Sequence, residues 1–279
     1  MSVPFSTHFY WLQRAFNYYS KAQTQYDVHA PFLSDWVAQV LEDERFFYIF
    51  DDVEEVRRYW INTKQKIQFE TDYGAGSRAG QGKERSVAQL AKWSGVDAYT
   101  GELLFRMVQY AKPTTILELG TNLGLSALYM RAAARSAQFI TIEGQEVVAK
   151  LAGISFERAN LPVPTIKCGT FTDQLPSALT ELQKLDFVFL DGDHRGDATL
   201  AYFRQMLPYL HEESVVVVGD IHWSGEMEEA WRQLCDDNAV KLSVDLFHFG
   251  VLFFRKEHQA KEHFTLIRKK WKPWRLGFF

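Results

Sequence analysis

The stretch 115-TILELGTNLGLSALYM-130 decides how this chain folds. An apolar run carries Glu118, reaches Gly120, and gives way after Gly124 to residues that favour a helix. A strand that turns straight into a helix offers unpaired N–H groups and the positive end of the helix dipole to whatever sits at the turn. Gly120 lets the backbone turn sharply and leaves room for a ligand against it. The spacing is Gly-x-x-x-Gly with Asn122 in the middle, not the Gly-x-Gly-x-x-Gly of a dinucleotide site. Glu118 aims an acid at the crevice, which suits a ligand with an ammonium group better than one with phosphates. Thr121, Asn122, Gly124 and Ser126 are read as part of the same cofactor-binding turn.

Downstream, short apolar runs alternate with helix-length amphipathic segments. Strands are predicted at Thr115–Leu119, Phe139–Ile142, Thr165–Cys168, Phe187–Leu190 and Val215–Val218, which reads as a doubly wound parallel sheet covered on both faces. Lys241–Phe247 and Gly250–Arg255 lie too close together for a crossover helix and must pair antiparallel. Two further strand ends carry chemistry. Glu143 closes the second strand about twenty residues after Gly120, where an acid accepts hydrogen bonds from ribose hydroxyls; its plainer role is to cap the next helix. The runs 187-FVFLDGDH-194 and 215-VVVVGDIH-222 deliver Asp191, His194, Asp220 and His222 to one sheet edge. That set suits a divalent cation, with Asp191 and Asp220 as ligands and His222 as a third, or a general base.

Outside this core the sequence is helical first and loop-like next. Phe5, Phe9, Leu12, Phe16 and Tyr19 share one helical stripe, read as buried core. A second helix after Pro31 buries Phe32, Leu33, Trp36, Val37, Val40 and Leu41, and a third is capped by Asp51 or Asp52 and buries Val53, Val56 and Trp60. The Gly-rich stretch 72-DYGAGSRAGQGKER-85 is either a linker or a lid that closes over an anionic ligand. The tail 267-IRKKWKPWRLGFF-279 is expected to pack its aromatic rings on the domain and leave its lysines in solvent. The expected division is a helical cap over 1–85, a catalytic domain over 86–257 and a basic-aromatic tail over 258–279.

Composition narrows the function. With 31 basic and 35 acidic residues the net charge is −4, without the basic excess that phosphate binding needs, so nucleic acid is not an expected partner. Two cysteines, Cys168 and Cys235, make no disulfide framework, and a reducing compartment fits better. No apolar run reaches the ~20 residues of a transmembrane segment, and the opening MSVPFSTHFYWLQRAF lacks a signal-peptide layout, so a cytoplasmic protein is expected. The aromatic N-terminal helices offer a surface for a homodimer.

Together these residues resemble the class I S-adenosylmethionine-dependent methyltransferases over roughly 86–257. LELGTNLG is similar to motif I of that family, Glu143 matches its ribose acid, and Cys168, Gly169 and Thr170 fall where its third strand lines the adenine pocket. FVFLDGDH is similar to its motif IV. The resemblance implies an α/β Rossmann-like, seven-stranded, mostly parallel sheet whose last strand is antiparallel, with an N-terminal helical extension. It also implies an enzyme that uses S-adenosyl-L-methionine. Within the family the chain is most similar to catechol-type O-methyltransferases acting on small hydroxylated acceptors, whose magnesium is held by two aspartates and an asparagine. Here Ile221 stands in the asparagine's place, with His222 next. The rival readings are a nicotinamide-dependent oxidoreductase and a cofactor-binding scaffold without catalysis.

Overall fold

Uninterrupted apolar runs make strands that must be covered on both faces, and the sheet they form is the centre of the molecule. The computed structural model describes residues 5–69, 84–256 and 260–274, with side chains from Tyr10 onward. The chain opens with helices α1 (Phe5–Lys21), α2 (Pro31–Trp36, continued by a wider turn to Leu41) and α3 (Tyr48–Ile61). A short antiparallel ribbon of β1 (Lys66–Gln68) and β2 (Glu84–Ser86) follows, then α4 (Val87–Trp93) and α5 (Ala98–Ala111). The strand–helix alternation begins with β3 (Thr115–Leu119), α6 (Leu125–Ala133), β4 (Gln138–Glu143), α7 (Glu146–Arg158) and β5 (Thr165–Cys168). It continues with α8 (Phe171–Leu182), β6 (Leu185–Leu190), α9 (Gly196–Met206), β7 (Leu210–Gly219) and α10 (Gly225–Asp236). Strands β8 (Leu242–Asp245), β9 (Phe249–Phe253) and β10 (Glu262–Thr265) close the sequence of elements.

The main sheet has eight strands in the order β10-β8-β9-β7-β6-β3-β4-β5. All run parallel except β9, which lies antiparallel between β7 and β8. The seven expected strands are present, and an eighth is added. β10 pairs in parallel with β8 and falls in the stretch read as tail. Its sequence, EHFT, sits half-buried at the sheet edge and carries no apolar run to announce it.

Successive residues of a strand point to opposite faces, and the core divides accordingly. Ile116, Phe187, Val215 and Val217 face α2, α3, α5 and α6. Leu117, Val188, Val216 and Val218 face α8, α9 and α10. Leu33, Trp36, Val37, Val53, Val56 and Trp60 are all buried, as their spacing required, and join the same apolar cluster as the first sheet face. Helix α3 starts at Tyr48 with Phe47 in the capping position, ahead of the expected aspartates.

Two expectations are corrected. Within the stripe of α1 read as core, two residues face outward: Leu12 is 68% exposed and Phe16 is 70% exposed. Polar and aromatic contacts hold the opposite face instead, with Arg14 Nε and Nη2 each donating to Glu228 at 2.6 Å and the Tyr18 hydroxyl donating to the Leu266 carbonyl. The tail departs in part: Lys269 and Lys270 are exposed as expected, but Lys272 and Trp274 are not where they were expected. Lys272 is buried and donates to the Ala22 carbonyl at 2.7 Å at the end of α1, whereas Trp274 is 67% exposed. An ammonium that finds the carbonyls at a helix end has a reason to be buried that a hydropathy pattern does not show.

Candidate active site

The chain runs outward from β3 through β4 and β5, then returns to lay β6 on the other side of β3. Such a reversal leaves a crevice at the carboxyl ends of the strands. A cavity of about 850 Å³ opens there, a volume within the range of small-molecule and cofactor sites.

Gly120 lies on its wall with φ +105°, a conformation open to glycine. A Cβ at this position would stand 2.4 Å from the Asp191 carbonyl oxygen. The glycine is therefore required by the close approach of β6 as much as by any ligand, which corrects the sequence argument. Its N–H donates to the Ile142 carbonyl at 3.0 Å, and that of Thr121 to the same oxygen at 3.2 Å, which ties the turn to β4.

Glu118 does not point into the cavity. It is fully buried beneath the floor, where Ser126 Oγ donates to it at 2.5 Å and Thr141 Oγ1 at 2.6 Å. Burial pushes its carboxyl up to about 7, against the two hydroxyl bonds that favour the charged form. The Thr121 hydroxyl meets that of Thr141 at 2.6 Å, so the polar groups of this turn are spent on one another. Ser126, Thr121 and Asn122 nevertheless line the cavity. Asn122, rather than glycine, adopts φ +48°, donates its backbone N–H to Glu143 at 2.8 Å and its side-chain amide to the Ser94 carbonyl at 2.6 Å. Gly124 occupies the capping position of α6.

Glu143 is on the cavity wall at the end of β4. Burial raises its pKa, and the N–H groups of Gln145 and Asn122 pull it back down. The Gln145 bond, at 2.9 Å, is the helix-end role weighed for this residue, and the carboxylate retains acceptor capacity toward the cavity. Gly169 and Thr170 line the far side, though the Thr170 hydroxyl is engaged in capping α8 through the Asp173 N–H at 3.2 Å. Cys168, the preceding residue, is exposed on the edge strand.

At the ends of β6 and β7 the chemistry concentrates. Ligand-type atoms of Asp191, His194 and Asp220 all lie within 4.8 Å of one another, and His194 Nδ1 is 3.6 Å from Asp220 Oδ2. The backbone is wound to bring them there: His194 has φ +38° and Asp220 φ +52°, both in the sparsely populated left-handed region. Burial, then the charges of Asp220 and Glu118, raise the Asp191 pKa well above the ordinary carboxylate value. Asp193 is not part of the group, because Arg195 clasps it at 2.7 and 2.8 Å and the Tyr202 hydroxyl at 3.0 Å.

His222 does not join them, which corrects its assignment as a catalytic residue or metal ligand. Nδ1 meets Glu228 at 3.0 Å and Nε2 meets Asp245 at 2.9 Å, leaving neither ring nitrogen for a ligand. Burial disfavours the charged imidazole, but Asp245 and Glu228 outweigh it and the pKa is raised. Asp220 takes the left-handed conformation, so the chain turns between Asp220 and His222 and sends their side chains apart. Alternation along a strand could not foresee that turn.

Sequence reasoning missed the aromatic side of the cavity. Trp11 of α1 packs edge-on against Trp223 at 5.8 Å and Phe247 at 6.2 Å between ring centroids, and all three line the cavity. His248 lines it as well. Ser94 and Gly95, ahead of α5, also reach it. Trp223 follows directly on the DIH run and was the one available signal. The central Gly-rich stretch, residues 70–83, lies outside the described residues, so the lid reading has no structural counterpart. Arg85 at its end is buried on the cavity wall, 5.2 Å over the Phe69 ring.

Residues 117–221 match a family profile described as a methyltransferase domain. Over that stretch the chain is similar to this family. A probable O-methyltransferase of Mycobacterium tuberculosis is 36% identical over 135 residues, 45% of this chain and 57% of that relative. The chain thus spans little more than half the length of the curated relative it matches. The fold is shared more widely. An O-methyltransferase from Bacillus cereus, solved with S-adenosylhomocysteine, superposes with a TM-score of 0.54 at 18% identity, over 81% of this chain and 97% of that one. The O-methyltransferase TomG from Streptomyces achromogenes, solved with S-adenosylmethionine, gives 0.54 at 18% identity, over 80% and 96%. The match to the methyltransferase domain runs from the middle of β3 to just past β7, and so includes Glu118, Gly120, Glu143, Asp191, His194 and Asp220.

Proposed function

We propose that the chain is an S-adenosylmethionine-dependent O-methyltransferase acting on a small hydroxylated molecule, with residues 86–257 as its catalytic body. The observation that carries this reading is the acid-rich crevice. Glu143 on the wall and Asp191 with Asp220 at the rim favour a positively charged ligand over a pyrophosphate. S-adenosylmethionine fits that demand, and when bound it supplies an electrophilic methyl group on a cationic sulfur. The names of the mycobacterial relative and of the bound structural neighbours point the same way.

The chain's own residues then have defined tasks. Glu143 accepts hydrogen bonds from the ribose hydroxyls. The Trp11, Trp223 and Phe247 rings hold the acceptor and exclude water, which strengthens every charge interaction inside. His194 takes the proton from the acceptor hydroxyl, and Asp220 orients its imidazole. Asp191, His194 and Asp220 also fit a divalent ion. The mix of carboxylate and imidazole suits manganese or zinc better than magnesium, and an ion held there would lower the pKa of the acceptor hydroxyl.

Calorimetric titration separates the readings. S-adenosylmethionine should bind and nicotinamide cofactors should not. Glu143→Ala should weaken binding by about thirty- to a hundred-fold, the roughly 2–3 kcal/mol of two charge-assisted bonds. A screen of hydroxylated molecules, run with and without a chelator, then reads transfer. Binding without transfer to any acceptor would leave a scaffold, and tight nicotinamide binding would return the oxidoreductase.

A further inference from the structure

Helix α1 has two working faces. Trp11 on the inner face forms part of the cavity wall, and Arg14 pins that face to Glu228 on α10. The outer face carries Leu12 and Phe16, 68% and 70% exposed. Tyr19 extends the same stripe and meets the Trp274 ring at 5.9 Å between centroids, so the tail prolongs the apolar surface. Lys269 and Lys270, in the segment that meets Tyr19 through Trp271 and Trp274, are exposed beside its C-terminal end. Of the facing acids, Glu44 engages Lys270 and Arg268, while Glu42 accepts the Lys269 backbone N–H. A net-negative chain has thus gathered lysines and tryptophan around an open apolar stripe, the composition of a helix that lies in a lipid interface.

We propose that this face docks on an anionic lipid surface. Two features favour lipid over a second copy of the chain. Leu12, Phe16 and Trp274 together expose on the order of 500 Å², short of the ~800 Å² per partner of a stable dimer. A two-fold pairing would also bring the basic rims toward each other, whereas anionic headgroups complement them. A helix is about 10 Å across, so the docked surface and the cavity wall stand on opposite sides of one element. A lipophilic acceptor dissolved in the bilayer would lie beside the cavity; this consequence rests on the methyl-transfer reading, but the docking does not.

The test is co-sedimentation of the full chain with vesicles, which needs no methyl transfer and so fails independently of the proposed activity. Vesicles of phosphatidylcholine with phosphatidylglycerol should carry the protein down, and added salt should release part of it. Leu12→Glu with Phe16→Glu, at exposed positions, should reduce binding at least about tenfold. Lys269→Glu with Lys270→Glu, at unchanged circular dichroism, should weaken binding to the anionic vesicles alone. The proposal falls if the wild-type chain stays in the supernatant, or if the lysine reversal changes nothing. It falls equally if light scattering finds a dimer that Leu12→Glu with Phe16→Glu splits.

Discussion

The carboxyl edge of the sheet and helix α1 border the same cavity, but they are held there by opposite means. At the edge the backbone decides. Gly120, Asn122, His194 and Asp220 take positive φ, and the Gly120, Thr121 and Asn122 N–H groups bond to carbonyls or carboxylates of neighbouring strands. Helix α1 is held by side chains from remote sequence, Arg14 to Glu228 and Trp11 to Trp223 and Phe247. A site fixed by local backbone can be read from a motif, whereas one fixed by remote side chains cannot. The difference also predicts which substitutions damage the fold and which only loosen it.

The largest effect should come where β3 and β6 approach each other. Gly120→Val places a Cβ 2.4 Å from the Asp191 carbonyl at φ +105°. Both strands must part, and the loss should exceed about 4 kcal/mol, in the range reserved for buried backbone clashes. Urea unfolding should show a collapsed midpoint along with lost S-adenosylmethionine binding. A variant of wild-type stability that merely fails to bind would restore the ligand, rather than Asp191, as the reason for the glycine.

The two histidines sharpen the comparison next. His194→Ala should lower transfer by about 10²–10⁴-fold, the usual worth of a positioned acid or base, at little cost in stability. His222→Ala should do the reverse. Transfer should stay near the wild-type rate while α1 loosens, which limited proteolysis would show as faster cleavage near Arg14. The sign with pH follows from its raised pKa. The imidazolium's contribution is complete below the ordinary value of 6.5 and fades as pH rises through the folded value, so protection of α1 should weaken toward alkaline pH in the wild type only. Equal losses of transfer in both variants would return His222 to the site.

These cases show what the sequence could carry. Strand β3 matches its expected ends, and β4, β6 and β7 contain theirs, because a strand buried on both faces must be apolar along its covered length; β5 also matches, although it is an edge strand with exposed ends. The hairpin of β8 and β9 was legible from loop length alone. Glu118 was located but mis-aimed. A strand's alternation says which face a residue takes, not that Ser126 and Thr141 wait there to bind its carboxylate. For α1 the apolar period was real and its direction was wrong, since nothing near Leu12 records that Glu228 holds the other face.

Glu118 offers a smaller, purely electrostatic test. Its carboxyl, 4.5 ordinarily, is pushed up to about 7 by complete burial. The folded chain therefore holds a proton that the unfolded chain releases, and stability must fall as pH rises between those values. The shift corresponds to about 3 kcal/mol. Glu118→Gln keeps the shape without the proton. The stability difference, wild type minus variant, should drop by that order from pH 5 to pH 8 and then level off. A flat difference would mean that Ser126 and Thr141 hold the carboxylate charged.

The smallest effect is a stabilisation, and it completes the contrast with Gly120. Gly153 sits inside α7, where an added Cβ would meet nothing within 4 Å. Its backbone is ordinary helix, so the glycine confers no needed conformation and enlarges only the freedom of the unfolded chain. Gly153→Ala should raise stability by about 0.5–1 kcal/mol, a gain of roughly 1–2 °C in Tm for a chain of this size. Cofactor binding should be untouched, because α7 meets the cavity only at its start, through Val148 beside Gln145. Two glycines some thirty residues apart would then differ in sign as well as in size. A destabilised Gly153→Ala would mean that the glycine serves a contact of its own rather than standing there by default.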